Sequence, residues 1–385
     1  MIKNSPQLVT PRMALTGLLS FILIGGAQAL YGPSLPNFTL RFGLETGTAG
    51  VAISVHNVGA VLGILSAIPI TRYPALARWR VGVSMVFLTL GSLLVAFSPY
   101  WSLTIGGIFF IGLAYGSLAI GINSLFAVGF GSRSPAMVNL LNAIFGIGAI
   151  LSPLLFLLLP TRPQITFLIL GAAAGLLIPL AFILDDRVPA KPVTRDKTQN
   201  HTLLFVFIVF LGLGGGLEAS TVGYAATYLI AKGTTAETAA TITSLLFLTY
   251  TLARLAAIPL SIRFTSAQIV MSCVSITAIL LLASHSAALA PISITLLGGS
   301  LAVFFPNGFN WISDVFGASN STTLIFAGGL SGGVFVPFIV AWITASFGEQ
   351  YIFTTILVVS ILALLTGFFL LSLLKSNPLQ RASAK

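Results

Sequence analysis

The hydrophobic residues of this chain form long unbroken runs between short polar stretches, without the alternation of a half-buried strand. A helix crosses the hydrocarbon core of a bilayer in about 20 residues. A membrane barrel would instead show short segments of alternating polarity. We therefore predict an all-α membrane protein. Its twelve transmembrane helices are expected near residues 13–36, 47–70, 81–99, 102–127, 136–159, 164–184, 202–230, 236–260, 267–284, 288–312, 321–346 and 351–374.

Composition and charge agree with this topology. Hydrophobic residues make up 56% of the chain and charged residues only 7%, whereas a soluble domain carries about 25% charged residues. The net charge of +10 arises mainly from loops on the side of both termini, which hold fourteen of the 18 Lys and Arg residues. Such an asymmetry is typical of cytoplasmic loops. We expect both termini in the cytoplasm, a location in the inner or plasma membrane, lipid as a partner and no nucleic acid.

A polar stretch and several sequence echoes divide the chain into two halves. Residues 185–201 are charged, contain two prolines and have no apolar periodicity, which predicts a cytoplasmic linker. The linker separates an N-terminal six-helix bundle, 1–184, from a C-terminal six-helix bundle, 202–385. The sequence GGAQA at 25–29 returns as GGLEA at 215–219, and shorter echoes join spans four and ten and spans five and eleven. These echoes predict two halves related by pseudo-two-fold symmetry.

Six plus six helices around a central cytoplasmic loop resemble the major facilitator superfamily over essentially the whole chain. The segment 139–153, with Phe-Gly-x-Gly before a proline, is similar to the fifth helix of the fucose–galactose–glucose:proton symporter family and its sodium-glucose-like relatives, although Asn142 stands where that family has His. Residues 216–228 resemble its seventh helix, and Phe305-Pro306 its tenth. The resemblance implies alternating access. The family's acidic residues in helices one and four are absent here.

Two residues are candidates for ion coupling. Glu218 is the only carboxylate near the middle of a predicted span, and such residues usually mark an ion or substrate pathway because a buried charge is costly. It would serve as a proton carrier, a sodium ligand or an acceptor for substrate hydroxyls. A glutamate that only ties helices together is the alternative. His56 in span two is a candidate proton relay, or a histidine bonded to a neighbouring helix.

Neutral polar side chains in the spans suggest the solute. Thr221, Tyr224 and Tyr228 follow Glu218 at helical spacing and share its face. Amides both donate and accept, so they match sugar hydroxyls without a net charge. The alternative is helix-to-helix bonding, worth ~0.6 kcal/mol per bond on average. The predicted substrate-binding residues are Gln28, Tyr31, Asn57, Asn123, Asn139, Asn142, Thr221, Tyr224, Tyr228, Asn307, Asn310 and Trp311.

Other residues suggest a gate, and several kinds of site are not indicated. Arg254 in span eight either pairs with Asp314 as a cytoplasmic gate or extends its charge to the membrane surface. Five prolines within the spans are expected to bend or end their helices: Pro33, Pro36, Pro153, Pro306 and Pro337. The three histidines have no metal-ligand spacing, and phosphate-binding loops are missing. We expect no metal, no cofactor and no ATP-driven mechanism.

These observations predict a secondary active transporter. It would move a small neutral polyhydroxylated solute, preferably a monosaccharide, by alternating access coupled to protons or sodium, and it would act as a monomer. An enzyme is not expected, because the one mid-membrane carboxylate has no obvious acid–base partner. The alternative is a proton-coupled exporter of lipophilic drugs or metabolites, which the 29 phenylalanines favour. A nutrient receptor on the same scaffold would bind its ligand without transport.

Overall fold

The computed structural model describes residues 9–66, 77–130, 133–159, 162, 164–183, 200–316 and 320–376. Almost all of the predicted linker, 185–201, lies outside these ranges. The described ranges are helical and contain no β-strand. The helices are α1 Pro11–Phe42, α2 Thr46–Leu65, α3 Ala77–Phe97, α4 Trp101–Gly129, α5 Ser134–Leu158, α6 Ile165–Ala181, α7 His201–Ala231, α8 Ala236–Arg263, α9 Ser266–Ala283, α10 Ala290–Ala302, α11 Phe304–Phe316, α12 Asn320–Phe347 and α13 Ile352–Ser376.

These helices coincide with the predicted spans. Within the described ranges, eleven helical stretches are long and apolar enough to cross a membrane, and α10 and α11 together form one of them. The sixth predicted span corresponds to α6, an apolar helix of 17 residues. Each of the twelve predicted spans therefore has its helix, and the prediction of a helical multi-pass membrane protein is confirmed.

Local sequence signals set several helix ends. The Thr10 side chain accepts a hydrogen bond from the backbone N–H of Met13 at the start of α1. The Asn200 side chain likewise accepts a hydrogen bond from a backbone N–H of its own helix at the start of α7. Such caps satisfy N–H groups that have no partner within the helix. At the other end of a helix, Arg41 donates to the carbonyls of Val95, Ala96 and Ser98 and thereby caps the C-terminus of α3.

The chain divides into two compact units. The first comprises Met1–Leu44 and Val55–Ala190, and the second Glu45–Ser54 and Lys191–Lys385. The first turns of α2 thus belong to the second unit and the remainder of α2 to the first. The predicted bundle limits of 1–184 and 202–385 stay a prediction.

The same packing pattern occurs in each unit. In the first unit α1 packs against α5 and α6, and α3 packs against α4 and α6. In the second unit α7 packs against α12 and α13, and α9 packs against α10 and α13. Counted by predicted span, each pair in the second unit follows its counterpart by six. The echoed glycines lie at these contacts: Gly148 abuts the carbonyl of Ile22, and Gly332 that of Gly212. Close approach of backbones through small residues is typical of membrane helices.

The tenth span is broken. α10 ends at Ala302, Val303 forms a turn, and α11 begins at Phe304. Pro306 has no N–H, so it cannot donate to the carbonyl of Ala302 four residues earlier. The interruption expected at Pro306 is therefore present, whereas the other four prolines lie inside helices that continue past them: Pro33, Pro36, Pro153 and Pro337. The break leaves a backbone carbonyl of the second unit that needs a donor from elsewhere.

Candidate functional site

Glu218 lies in the middle of α7, which runs from His201 to Ala231. Its Oε1 accepts a hydrogen bond of 2.6 Å from the hydroxyl of Tyr250. Its Oε2 is buried and has no hydrogen-bond partner among the described residues. An unsatisfied buried oxygen is costly and needs an explanation. One carboxylate oxygen is therefore fixed by the protein, and the other is free to take a proton or a donor from a bound solute.

Tyr250 and Arg254 are one turn apart in α8, so their side chains meet. Arg254 donates from Nη2 to the Tyr250 hydroxyl oxygen over 2.5 Å, and its guanidinium lies 4.4 Å from the centre of the tyrosine ring. The hydroxyl has a single hydrogen, which it donates to Glu218 while it accepts from Arg254. Donation therefore runs in one direction, from Arg254 through Tyr250 to Glu218. We call these three residues the Glu218 triad.

The triad also reaches the break between α10 and α11. Arg254 donates from Nε to the carbonyl of Ala302 over 3.2 Å, and this is the carbonyl that Pro306 cannot satisfy. The amide of Asn307 donates to the neighbouring carbonyl of Val303 over 2.8 Å. The Val303 carbonyl also accepts the backbone N–H of Asn307, so the donor that the interrupted helix lacks is needed only at Ala302, where Arg254 supplies it. The predicted solute ligand Asn307 uses one amide hydrogen for the carbonyl four residues before it.

The other candidates on α7 have different environments. Thr221 is fully buried, and its hydroxyl has no partner among the described residues. Tyr224 donates to the carbonyl of Pro337 and Tyr228 to that of Ser284, each over 3.1 Å. The tyrosine hydroxyls are therefore occupied by the protein's own backbone, whereas Thr221 remains open to a ligand.

The predicted residues of α11 are spread around the helix. Trp311 is buried and packs edge-on against Phe207 and Phe210. Asn310 and Asp314 are exposed. The hydrogen bonds described above for Arg254 go to Tyr250 and Ala302. A gate formed by Arg254 and Asp314 stays a prediction.

The first unit carries a second polar group. Gln28 in α1 has a buried Oε1 without a hydrogen-bond partner in the described part of the chain. One turn further on, the hydroxyl of Tyr31 lies 3.1 Å from Nδ1 of His56. The His56 ring lies between the rings of Tyr31 and Tyr115, at centroid distances of 4.7 and 5.3 Å. The structure thus brings Tyr31 and His56 together. Gln28 holds the place in GGAQA that Glu218 holds in GGLEA.

Two of the remaining amides of the first unit donate hydrogen bonds to their own helices. Asn123 and Asn142 donate to the carbonyls four residues earlier, over 3.0 and 2.9 Å. Asn57 is half-buried. The side chain of Asn139 lies outside the part of the structure that is described. Solute contact by these four residues stays a prediction.

Sequence reasoning missed Tyr250. The available signal was its position four residues before Arg254 in an apolar span, which places a hydroxyl and a cation on one helix face. The spacing could not show that this face meets Glu218. Among the described residues, no group of His, Cys, Asp and Glu side chains is placed to hold a metal ion.

Comparison with known proteins identifies the fold. No protein-family model matches the chain, and no curated protein matches it. Among solved structures, a mutant of the nucleoside transporter NupG has a TM-score of 0.75 at 15% identity, over 93% of this chain and 98% of that one. The D-xylose-proton symporter has a TM-score of 0.72 at 13% identity, over 93% and 96%. FucP, a major facilitator superfamily transporter, has a TM-score of 0.63 at 18% identity, over 94% and 99%. These likenesses confirm the predicted major facilitator fold.

Proposed function

We propose that this multi-pass membrane protein of major facilitator fold is a secondary active transporter for a small neutral polyhydroxylated solute, preferably a monosaccharide. Transport is coupled to protons or sodium through Glu218. The protein acts as a monomer in the inner membrane with both termini in the cytoplasm. Two of the similar structures are those of a nucleoside transporter and of a D-xylose-proton symporter, and both of those solutes are rich in hydroxyls.

The half-satisfied carboxylate of Glu218 carries this proposal. A glutamate that only ties helices together would have both oxygens bonded, since an unpaired buried acceptor costs about 1–3 kcal/mol. Here Tyr250 holds Oε1, and Oε2 has no partner in the described structure. An open acceptor in the middle of a span suits a group that binds and releases an ion or a solute.

The open polar atoms favour a hydroxyl-rich solute over a lipophilic one. Glu218 Oε2 and Thr221 Oγ1 lie about one turn apart on α7, and both are buried without hydrogen-bond partners among the described residues. A solute with several O–H donors satisfies such atoms. A purely apolar solute leaves them unpaired, and sites built for hydrogen bonding discriminate strongly against analogues that lack the donor. The lipophilic exporter is therefore the second choice.

The contacts of Arg254 favour the proton over sodium as the coupling ion. In secondary transporters, sodium is commonly held by the free carbonyls of broken helices. The free carbonyl at the α10–α11 break, that of Ala302, is already bound by the Arg254 guanidinium. A second cation there would be repelled, whereas a proton on Glu218 would not compete for that carbonyl.

The test is counterflow in proteoliposomes with labelled monosaccharides and nucleosides, followed by accumulation under an imposed pH or sodium gradient. We expect saturable exchange by the unmodified protein. Glu218→Gln should keep exchange and lose gradient-driven accumulation. Glu237→Gln, an exposed glutamate in the first turn of α8, is the matched control and should behave normally. Unchanged accumulation in Glu218→Gln would refute the coupling role. No exchange of any sugar or nucleoside would shift the assignment to the lipophilic exporter.

A further inference from the structure

We propose that Arg254 is a tethered counter-ion that links the charge of Glu218 to the helix break between α10 and α11. Arg254 is then a positioning residue, because it acts on Glu218 through Tyr250. This inference rests on the proposed function, since it assigns the mechanical partner of the coupling carboxylate. The guanidinium then has two roles. Its positive charge balances the carboxylate, and its Nε–H group binds the free carbonyl of Ala302 and so holds the two helices at the break together.

The geometry supplies the link. One planar guanidinium donates from Nη2 to Tyr250 and from Nε to the carbonyl of Ala302. Its donors are held in a rigid fork, so a displacement at one bond is transmitted to the other. Tyr250 in turn holds Glu218. Three helical segments, α7, α8 and the end of α10, are thus joined by a continuous series of hydrogen bonds.

The charge state of Glu218 determines how strong the hydrogen bonds of this series are. With Glu218 ionised, the Tyr250 hydroxyl donates to an anion, and such bonds are about twice as strong as neutral ones. Donation to Glu218 also makes the tyrosine oxygen a better acceptor for Arg254. With Glu218 protonated, both bonds weaken, and the hold of Arg254 on Ala302 loosens. Because Pro306 has removed the helix's own bond at this carbonyl, the break is the place where loosening permits movement.

A cysteine of the native sequence packs against the break and can be used to measure its opening. Cys273 in α9 is the only cysteine of the chain, it is 7% exposed, and it packs in one cluster with Tyr250, Ala302 and Val303. Its alkylation by N-ethylmaleimide therefore requires this cluster to open. The alkylation rate measures opening at the break without any need for transport, and the native sequence needs no engineered cysteine.

The experiment uses the full chain in proteoliposomes and compares Glu218→Gln, Arg254→Gln, the double variant and Arg254→Lys. Arg263→Gln, an exposed arginine at the end of α8, is the control. For Arg254→Gln we expect alkylation about tenfold faster, as for an opening equilibrium shifted by roughly 1.4 kcal/mol, and loss of counterflow. The double variant should recover the counterflow of Glu218→Gln, because no unbalanced carboxylate remains, and should stay rapidly alkylated.

Arg254→Lys separates the two roles and remains informative if Arg254→Gln does not fold. Lysine keeps the positive charge but has no second donor in a fixed fork, so counterflow should persist while alkylation accelerates. Control-like alkylation in both Arg254 variants would overturn the link to the break. A double variant as inactive as Arg254→Gln would overturn the counter-ion role. If the unmodified protein exchanges no solute, the proposed function fails, and the alkylation rates still decide whether Arg254 closes the break.

Discussion

Tyr250→Phe tests the hydroxyl group that connects Arg254 with Glu218 in the Glu218 triad. The substitution removes one oxygen and keeps the ring, which packs with Ile269, Cys273 and Val303. Glu218 Oε1 then loses its donor at 2.6 Å and Arg254 loses its acceptor at 2.5 Å. The perturbation therefore concerns two hydrogen bonds to charged groups and leaves the apolar contacts in place.

The expected loss of free energy in Tyr250→Phe can be calculated from these two hydrogen bonds. A hydrogen bond to a charged group contributes about 1.5–3 kcal/mol in soluble proteins. Between membrane helices the measured average is ~0.6 and the maximum ~1.7 kcal/mol. Two bonds at the membrane values give a loss of about 1–3 kcal/mol. Since 1.4 kcal/mol is a factor of ten, coupled uptake should fall by about 5- to 140-fold.

The assay is the initial rate of gradient-driven uptake divided by the rate of counterflow, measured on the same proteoliposomes. Tyr250→Phe should lower this ratio, because counterflow does not require Glu218 to change its charge in each cycle. Thr243→Val is the matched control: it removes a buried hydroxyl of α8 that donates within the helix, to the carbonyl of Ala239. Its ratio should equal that of the unmodified protein. Equal loss of both rates in Tyr250→Phe, or no loss of either, would refute the bridging role.

Three further predictions concern the scaffold and the first unit. Arg41→Gln removes three hydrogen bonds to the end of α3. It should lower the free energy of unfolding in detergent by about 1–3 kcal/mol and with it the melting temperature; an unchanged melting temperature would contradict this capping role. Gly332→Ala places a methyl group against the carbonyl of Gly212 and should cost about 1–3 kcal/mol, whereas Gly106→Ala meets no atom within 4 Å and should be neutral in the same melting assay. The predicted relay role of His56 requires His56→Gln to lose accumulation and keep counterflow, and equal loss of both would assign His56 to packing.

The transmembrane helices could be predicted from the sequence because the hydrocarbon core of a bilayer restricts which structures can cross it. Backbone polar groups must be satisfied within a segment that crosses a bilayer, so a long apolar run has essentially one solution, a helix. The break at Val303 was partly predictable, since Pro306 removes a donor from its helix. The donor that replaces it was not predictable, because Arg254 lies 48 positions from Ala302 along the chain.

The candidate site was predicted less completely than the fold. Glu218 was found from chemistry alone, since a carboxylate in an apolar span requires an explanation. Tyr250 was missed because a tyrosine in such a span is ordinary until its partner is known. The tyrosines on the face of Glu218, Tyr224 and Tyr228, were predicted to bind solute, yet their hydroxyls donate to backbone carbonyls. Periodicity places residues on one face, but only packing decides which polar atom is already satisfied.

The repeat places a carboxylate in one unit and a neutral amide at the matching position of the other. Gln28 and Glu218 occupy the same place in GGAQA and GGLEA, and each has a buried oxygen without a partner in the described structure. A neutral amide can be left there at the cost of one hydrogen bond, whereas a carboxylate also needs a balancing charge. In the second unit Arg254 carries a positive charge and is linked to Glu218 through Tyr250. The echo agrees with the shared packing of the units, and the departure from it at one position coincides with the triad: where a carboxylate stands in α7, one tyrosine links it to a cation that also binds the Ala302 carbonyl.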